Sequence, residues 1–403
     1  MQTITDSISP GPQALAGKGT ETVVRLGGRV VALLRPTGYV PVPRPVPLAP
    51  AAPVRLSRFA IVAARQGWLV AQAPGAEAEV VLASEASGLL GCLASWTTPA
   101  GITAAGIPSK AAAAILPLFA AAGLLAPGSP DGDVEDETMA RAQWTVPDLW
   151  LHARSRGPRL STRYGGVYPM AGRFPPLPAG AAAEPGPVVR LPVPGPAAAD
   201  LTLTEAIERR RSVRVHDDGA PLTAGQLGEL LYRTARVRRT FITPNGMEAA
   251  DRPYPAGGAT HELEIYPLVT RCAGLAPGLW HYLADRHELR LASPVSPVVR
   301  RMVAEARSCC LMTSDPQVVL VIAARFGRVM WKYDEISYSL ILKHVGVYMQ
   351  TVYLVATAMG LAVCAAGGGD AADFAAATGL DYFAQGSVGE MTLGSRSNSS
   401  GYQ

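Results

Sequence analysis

The sequence predicts an α+β protein of two domains, and three observations carry that expectation. A stretch rich in Pro, Gly and Ala, RFPPLPAGAAAEPGPVVRLPVPGPAAAD (173–200), reads as a linker. Before it come small strands followed by three short helices; after it, from Leu201, helices and strands alternate. At 403 residues the chain is long enough for two or three units of about 150 residues. Gly and Pro number 41 and 35, about a fifth of the chain. That falls below the roughly 25–30% at which wholesale disorder is expected.

Residues 1–20 are small and polar and read as a disordered tail, and PTGYVPVPRPVPLAPAAP (36–53) reads as an extended connector. Regular structure is expected from residue 58. RFAIVAARQGWLVAQAP (58–74) gives two strands about a turn at Gln66–Gly67, and AEVVLA (78–83) gives a third. Helices follow near 84–95, near 100–106, and from Ser109, a cap for an alanine run, to about Ala122. With the acidic loop DGDVEDE (131–137) after them, these elements resemble a winged-helix module over 21–143. DNA binding does not follow. The candidate recognition helix offers one Lys and no Arg, Asn or Gln, and the acidic loop stands where a wing approaches phosphate. A clamp for an extended peptide, gripped along strand edges, suits the module better. Residues 144–199 connect it to the second domain, 200–403.

That domain reads in order as helices at 201–212 and 221–235, a strand at 262–270, a hairpin at 278–291 and a helix at 295–306. A strand at 317–326, a long helix at about 334–359, and strands at 361–367 and 389–395 complete it. The uncharged run Val345–Ala366 is long enough to span a bilayer, but a helix apolar all round is also what the centre of a large core requires. No membrane association is expected. The net charge of +4, the absence of a basic start with an apolar h-region, and five cysteines without a CxxC pair predict a cytoplasmic protein with reduced thiols. His152, His216, His281, His287 and His344 lack metal-ligand spacing and read as surface or packing residues, so no metal is expected. Cys309–Cys310 reads as structural.

Five motifs carry chemistry. ERRRSVR (208–214) puts Arg210, Arg211, Ser212 and Arg214 where a helix ends, suiting a phosphate monoester or else a solvated basic helix end. RPYPAGGATHELEIY (252–266) brings Pro255, Ala256 and Gly257 into an open loop before a strand, where backbone groups can approach a flat ligand. Gly367–Gly369 directly follows a strand, and LGSRS, with Gly394–Ser397 at a strand end, delivers Arg396 to an anion. Gly17-Lys-Gly19 lacks the third glycine and preceding strand of a dinucleotide fingerprint. Lastly, Lys332 and Tyr333 lie between a strand-like segment and a buried helix. Desolvation there lowers a lysine pKa and lets it act as a base near neutrality; the alternative is a surface lysine beside a core tyrosine.

Taken in this order, the motifs resemble the nitroreductase-like flavoproteins. In particular they are similar to the SagB-type dehydrogenases of thiazole/oxazole-modified peptide and thiopeptide pathways, well over 200–403 and more loosely before it. The resemblance implies an FMN-binding C-terminal domain with an N-terminal winged-helix-like peptide clamp. Arg210, Ser212 and Arg214, assisted by Arg211 and Arg396, then hold the FMN phosphate and ribityl. Pro255, Ala256 and Gly257 line the isoalloxazine with backbone atoms; relatives often have Ser at the Ala256 position. Relatives also tend to read leucine-tyrosine-proline where Thr260-His261-Glu262 stands, so this wall belongs to the chain itself, and His261 is a candidate to face substrate. Gly367 and Gly368 offer N–H groups near flavin N5 and O4, where charge develops on reduction.

Lys332-Tyr333 matches the pair that azoline dehydrogenases use for proton abstraction and that plain nitroreductases lack. The reaction implied is FMN-dependent oxidation of peptide thiazolines or oxazolines to aromatic azoles. A base removes the acidified Cα–H while Cβ–H leaves as hydride to N5, and dioxygen reoxidises the flavin. The implied partners are a precursor peptide, a cyclodehydratase and a second copy of the chain, whose interface takes up the apolar helix. Two alternatives stand beside this: an NAD(P)H-dependent nitro- or quinone reductase of the same fold, and a flavin-free peptide-binding scaffold.

Overall fold

The computed structural model describes residues 21–38, 41–156, 165–181, 185–195 and 200–396. The tail expected at 1–20 and Ser397 of the LGSRS motif lie outside these, as do parts of the 36–53 connector and of the 144–199 connecting residues. The chain divides into two compact units, Met1–Gly165 and Gly166–Gln403.

The first unit opens on a hairpin before the point where regular structure was expected. β1 (Thr22–Leu26) and β2 (Arg29–Pro36) meet about Gly27 and Gly28, whose φ of 56° and 81° is the geometry of a two-residue turn that follows the twist of the strands. β3 (Ile61–Arg65) and β4 (Trp68–Gln72) turn at Gln66–Gly67 as predicted, and β5 (Ala78–Leu82) completes an antiparallel sheet of order β1-β2-β5-β4-β3. α1 (Gly88–Cys92), α2 (Pro99–Ala104) and α3 (Ser109–Ala121) are the three short helices. Ser109 begins α3 rather than capping it; Pro108 holds the cap position. Ile115, Leu116 and Phe119 of α3 share one core with Leu34, Val80 and Leu82 of the sheet.

The acidic loop turns inward. After the two-residue strands β6 (Gly128–Ser129) and β7 (Gly132–Asp133), α4 (Val134–Glu137) buries Glu135, which accepts from Ser57 Oγ at 2.5 Å and pairs with Arg55 at 3.2 Å. Asp133 lies 2.7 Å from the same guanidinium, so the acidic run anchors the unit internally. α5 (Met139–Ala142) and α6 (Val146–Arg156) follow, and Trp150 Nε1 of α6 donates to Phe59 O at 2.7 Å.

The second unit is built on an antiparallel seven-stranded sheet with helices on both faces. Its first strand, β8 (Val188–Arg190), lies inside the segment expected as linker and pairs with the sheet's edge, because Val188–Arg190 can add backbone bonds there without demanding a buried face. α7 (Leu203–Arg209) and α8 (Ala224–Ala235) each begin with a reciprocal capping box, Thr202/Glu205 and Thr223/Gln226. A hairpin of β9 (Arg239–Ile242) and β10 (Glu248–Asp251) precedes β11 (Leu263–Val269), β12 (Gly278–Leu283) and β13 (Glu288–Pro294). Then come α9 (Pro297–Cys309), β14 (Val318–Arg325), α10 (Phe326–Met330), α11 (Ser337–Ala358), β15 (Leu361–Ala365), α12 (Ala371–Thr378) and β16 (Gln385–Ser395). The sheet order is β15-β16-β14-β11-β12-β13-β8.

β14 explains the layering. Val318, Leu320, Ile322 and Ala324 face the core shared with α8 and α11, while Val319, Val321 and Ala323 face the core shared with α9 and α12. Both faces being covered, VVLVIAAR is buried at every position. The run Val345–Ala366 is not one helix: α11 ends at Ala358, Gly360 turns the chain at φ +68°, and β15 follows. Among the described residues no helix is long and apolar enough to cross a membrane.

Candidate active site

The predicted residues fall into three groups. The first is the Lys-Tyr pair. α10, a short helix where a strand-like segment was expected, ends at Met330, and the turn that follows places Lys332 N 3.1 Å and Tyr333 N 2.8 Å from Val329 O. The Lys332 carbonyl accepts from Val167 N at 3.0 Å and Tyr168 N at 3.1 Å, fixing the backbone, and Lys332 Nζ donates to Gly258 O at 3.1 Å. Gly258 sits at φ +62°, and a Cβ there would collide with both Lys332 Nζ and Tyr333 Oη. A glycine is therefore what lets the two side chains close on this turn. The PAGG run and the Lys-Tyr pair, 74 residues apart, form one site. Burial lowers the Lys332 pKa from its ordinary value and, together with the nearby Tyr168, raises that of Tyr333.

Trp331, the residue before the pair, lines a cavity of about 630 Å³ with Tyr168, Arg173, Phe174, Pro175 and Asn245. Tyr168 meets Trp331 edge-on at 5.4 Å, and Trp331 Nε1 donates to Phe174 O at 2.9 Å.

The second group is the end of α7. Ser212 Oγ lies 2.9 Å from Tyr353 Oη of α11, the Arg210 guanidinium stands 5.2 Å from the Tyr353 ring centroid, and Ala365 N donates to Tyr353 Oη at 2.8 Å. Tyr353 was hidden inside an apolar helix in the sequence; the signal for it was a tyrosine in a core whose hydroxyl needed a partner. Arg214 is exposed beside Cys310 and Cys364; the neighbouring Cys310 thiol foremost, and then the Arg214 charge, hold the Cys364 thiol below its ordinary pKa. Arg396 is exposed at the end of β16, in a bridge with His216. Arg211 instead turns back, donating to Glu208 O and Arg210 O at 2.7 Å. The third group, Gly367 and Gly368, is exposed just after β15; a Cβ on Gly368 would stand 3.3 Å from Cys309 Sγ.

The first two groups diverge. Gly257 N donates to His344 Nε2 at 2.7 Å, so that loop packs at His344 of α11, whereas Ser212 packs at Tyr353. Nine residues of α-helix separate these two by about 13 Å along the axis and about half a turn around it.

Other predicted placements change. His261 is buried, with its ring edge-on to Tyr254 at 5.0 Å, and so does not face a substrate; burial and the Arg252 charge push its pKa down to about 3. His344, expected only to pack, bonds both Gly257 and Glu262. Among the described residues no cluster of His, Cys, Asp or Glu could hold a metal ion, and all five cysteines are free.

Residues 207–395 match the nitroreductase family. The second unit has the nitroreductase fold. This family is one of oxidoreductases and generally binds FMN. Residues 54–161 match the family described as cyanobactin oxidase ThcOx. The nitroreductase domain is similar to a Methanocaldococcus jannaschii protein provisionally named a nitroreductase, at 29% identity over 168 residues, 42% of this chain and 79% of the relative. Among solved structures, a provisionally named nitroreductase of Ralstonia eutropha is 20% identical, covering 55% of this chain and 95% of its own with a TM-score of 0.42. A chain of the E. coli microcin synthetase McbBCD complex with truncated pro-MccB17 bound is 19% identical, covering 58% of this chain and 89% of its own with a TM-score of 0.40.

The residues of the nitroreductase domain fit FMN. Arg210, Arg214 and Arg396 have no carboxylate partner among the described residues; Arg210 and the Ser212 hydroxyl stand at Tyr353, Arg214 lies beside Cys364 of β15, and Arg396 follows along the same segment at its bridge with His216. Uncompensated guanidiniums beside a hydroxyl are what a phosphate dianion requires.

Proposed function

We propose that this protein is an FMN-dependent azoline dehydrogenase, converting thiazolines or oxazolines of a precursor peptide to thiazoles or oxazoles. The observation that carries the reading is the convergence of Lys332 Nζ and Tyr333 Oη on Gly258, which supports a proton-handling role for the two side chains together. Lys332 is half-buried, bonded to a neutral carbonyl, and desolvated toward its uncharged form, the state in which an amine accepts a proton. Tyr333, kept protonated by burial, orients the ring or passes the proton on.

Arg210, Ser212, Arg214 and Arg396 would hold the phosphate, with Arg211 at the margin. Pro255, Ala256 and Gly257 would line the ring system, and Gly367 and Gly368 would offer N–H groups to it. Bound FMN supplies a two-electron acceptor. Because Arg210 and Ser212 pack at Tyr353 and the Lys-Tyr turn packs at His344, on opposite sides of α11, a complete site would draw one set from each of two copies of the chain. In the first unit, the edge strand β3 exposes Ile61 and Val62, which suits a docked precursor peptide and agrees with the ThcOx match of 54–161; a cyclodehydratase is the expected partner.

The test is to incubate the yellow holoprotein with an azoline-bearing peptide in air and follow loss of two hydrogens per ring by mass spectrometry. Lys332→Ala with Tyr333→Phe should lower the rate by about 100-fold or more with FMN content retained. An unchanged rate in the double variant overturns the base assignment. Rapid reduction by NADPH without ring oxidation moves the reading to a small-molecule reductase.

A further inference from the structure

The turn that receives Lys332 is itself held by a buried chain of hydrogen bonds. Gly257 N–H can only donate, so His344 Nε2, 2.7 Å away, is the acceptor and the ring proton sits on Nδ1. Nδ1 lies 2.7 Å from Glu262 Oε1 and donates to it. The other Glu262 oxygen accepts from Thr260 Oγ1 at 3.3 Å, which also reaches Gly257 O at 3.1 Å. Glu262 is 0% and His344 5% exposed. The carboxylate is buried among cations: Arg252, which donates to Leu263 O at 3.0 Å, and Arg328, which donates to Thr260 O at 2.6 Å, to Leu177 O and to Glu248 O. His261 and Tyr254 are further titratable neighbours, and Glu264, Arg325 and Tyr348 belong to the same buried cluster. The chain closes on residues 257–260 at three points, Gly257 N with His344, Gly257 O with Thr260 Oγ1, and Thr260 O with Arg328, and the next link of that segment is Gly258 O with Lys332 Nζ.

We infer that Glu262 and His344 are positioning residues, acting through the Gly257–Gly258 turn to fix Lys332 Nζ beside Tyr333. The imidazole must be neutral and in the Nδ1–H form to do this, because a proton on Nε2 would face the Gly257 N–H. Glu262 selects that form, as a carboxylate accepting from Nδ1–H does. Thr260 and Arg328 hold the same turn from the other side, so its conformation is fixed at both carbonyl and amide. The inference rests on Lys332 being the base of the proposed reaction, but its principal test does not.

The test uses trace acetylation of the full-length holoprotein across pH, read by mass spectrometry. Lys332 is one of four lysines, and Lys110 serves as the internal reference. His344→Gln can still accept from Gly257 N–H and donate to Glu262; it should keep the Lys332 reactivity profile and, with an azoline peptide, kcat within about twofold. His344→Leu should move the Lys332 profile toward that of Lys110 and lower kcat by about tenfold or more, with KM changed less than about twofold. The inference is overturned if the leucine variant leaves the Lys332 profile in place, or if glutamine loses as much as leucine. Should the leucine variant not fold, histidine ¹⁵N NMR of the unaltered protein decides the point: His344 must be the Nδ1–H tautomer near neutral pH, and an Nε2–H tautomer overturns the inference. If instead Lys332→Ala leaves ring oxidation intact while the acetylation results hold, the proposed base is wrong and the positioning role stands.

Discussion

Buried histidines give the nitroreductase domain a pH dependence that can be signed from single residues. His216 is 7% exposed; its Nδ1 accepts from Gln317 N at 3.2 Å, and its ring packs against Gly394, where any Cβ would collide with it. Burial lowers its pKa to about 4, with Asp218 opposing weakly. The folded state therefore prefers the neutral ring, while the unfolded chain takes up a proton near pH 6.5. Stability from this residue is complete above pH 6.5, falls as the pH drops, and is gone below about pH 4, a loss of up to about 3 kcal/mol. His261, lowered to about 3, adds in the same direction. Urea unfolding at pH 7.5, 6 and 5 should show this decline, and His216→Asn, which keeps an acceptor for Gln317 N, should flatten it. An equal slope in both proteins would remove His216 from the account. The sequence offered no sign of this: six histidines without metal spacing look alike until burial separates them.

At the scale of elements, α11 organises the domain, and one glycine sets how closely the sheet approaches it. A Cβ on Gly389 of β16 would stand 2.7 Å from Val345 Cγ1 and 2.8 Å from Met349 Cε, both on α11. Gly389→Ala should thus cost about 1–3 kcal/mol by overpacking, seen as a lower urea midpoint at constant slope. An unchanged midpoint would mean that Met349 yields freely. The elements that the sequence made legible are those with a strong apolar signal: α8 and α9 through their periodicity, α11 and β14 as continuous apolar runs, and all four stand close to their predicted bounds. Those it obscured lack that signal. β9 and β10 carry Arg239, Thr240, Glu248 and Asp251 with little apolar alternation, and β8 is three residues within a proline-rich stretch. The β1–β2 hairpin did carry a signal, two apolar runs about Gly27–Gly28, but lay beside a tail without pattern. For the site, residue types and motif order were readable. The meeting of Gly258 with Lys332, and of Ser212 with Tyr353, depends on long-range topology that no local pattern encodes.

For the whole molecule, the divergence of the two half-sites makes a prediction about assembly. Ser212 and Arg210 sit at Tyr353, Gly257 and the Lys332 turn sit at His344, and α11 holds them about 13 Å apart on opposite sides. A single ligand reaching both sets is then supplied by two chains in a symmetric pair, each giving its phosphate-binding end to one site and its Lys-Tyr turn to the other. The exposed Tyr338, Leu342 and Val347 of α11 offer apolar surface for such a pair. Complementation tests this directly. Arg210→Ala with Arg214→Ala destroys one half-site, and Lys332→Ala with Tyr333→Phe destroys the other; each variant alone should be inactive. In a mixed dimer, purified through a different tag on each chain, one site receives both defects and the other receives neither. That dimer should oxidise an azoline peptide at about half the wild-type rate. If both half-sites of a working centre come from one chain, every centre in the mixed dimer carries a defect and activity stays at the level of the parents. A monomer by sedimentation at micromolar concentration, fully active, would likewise end the idea. Recovery of activity with neither chain competent alone leaves the shared site as the arrangement that accounts for it, because mixing restores no residue to either chain.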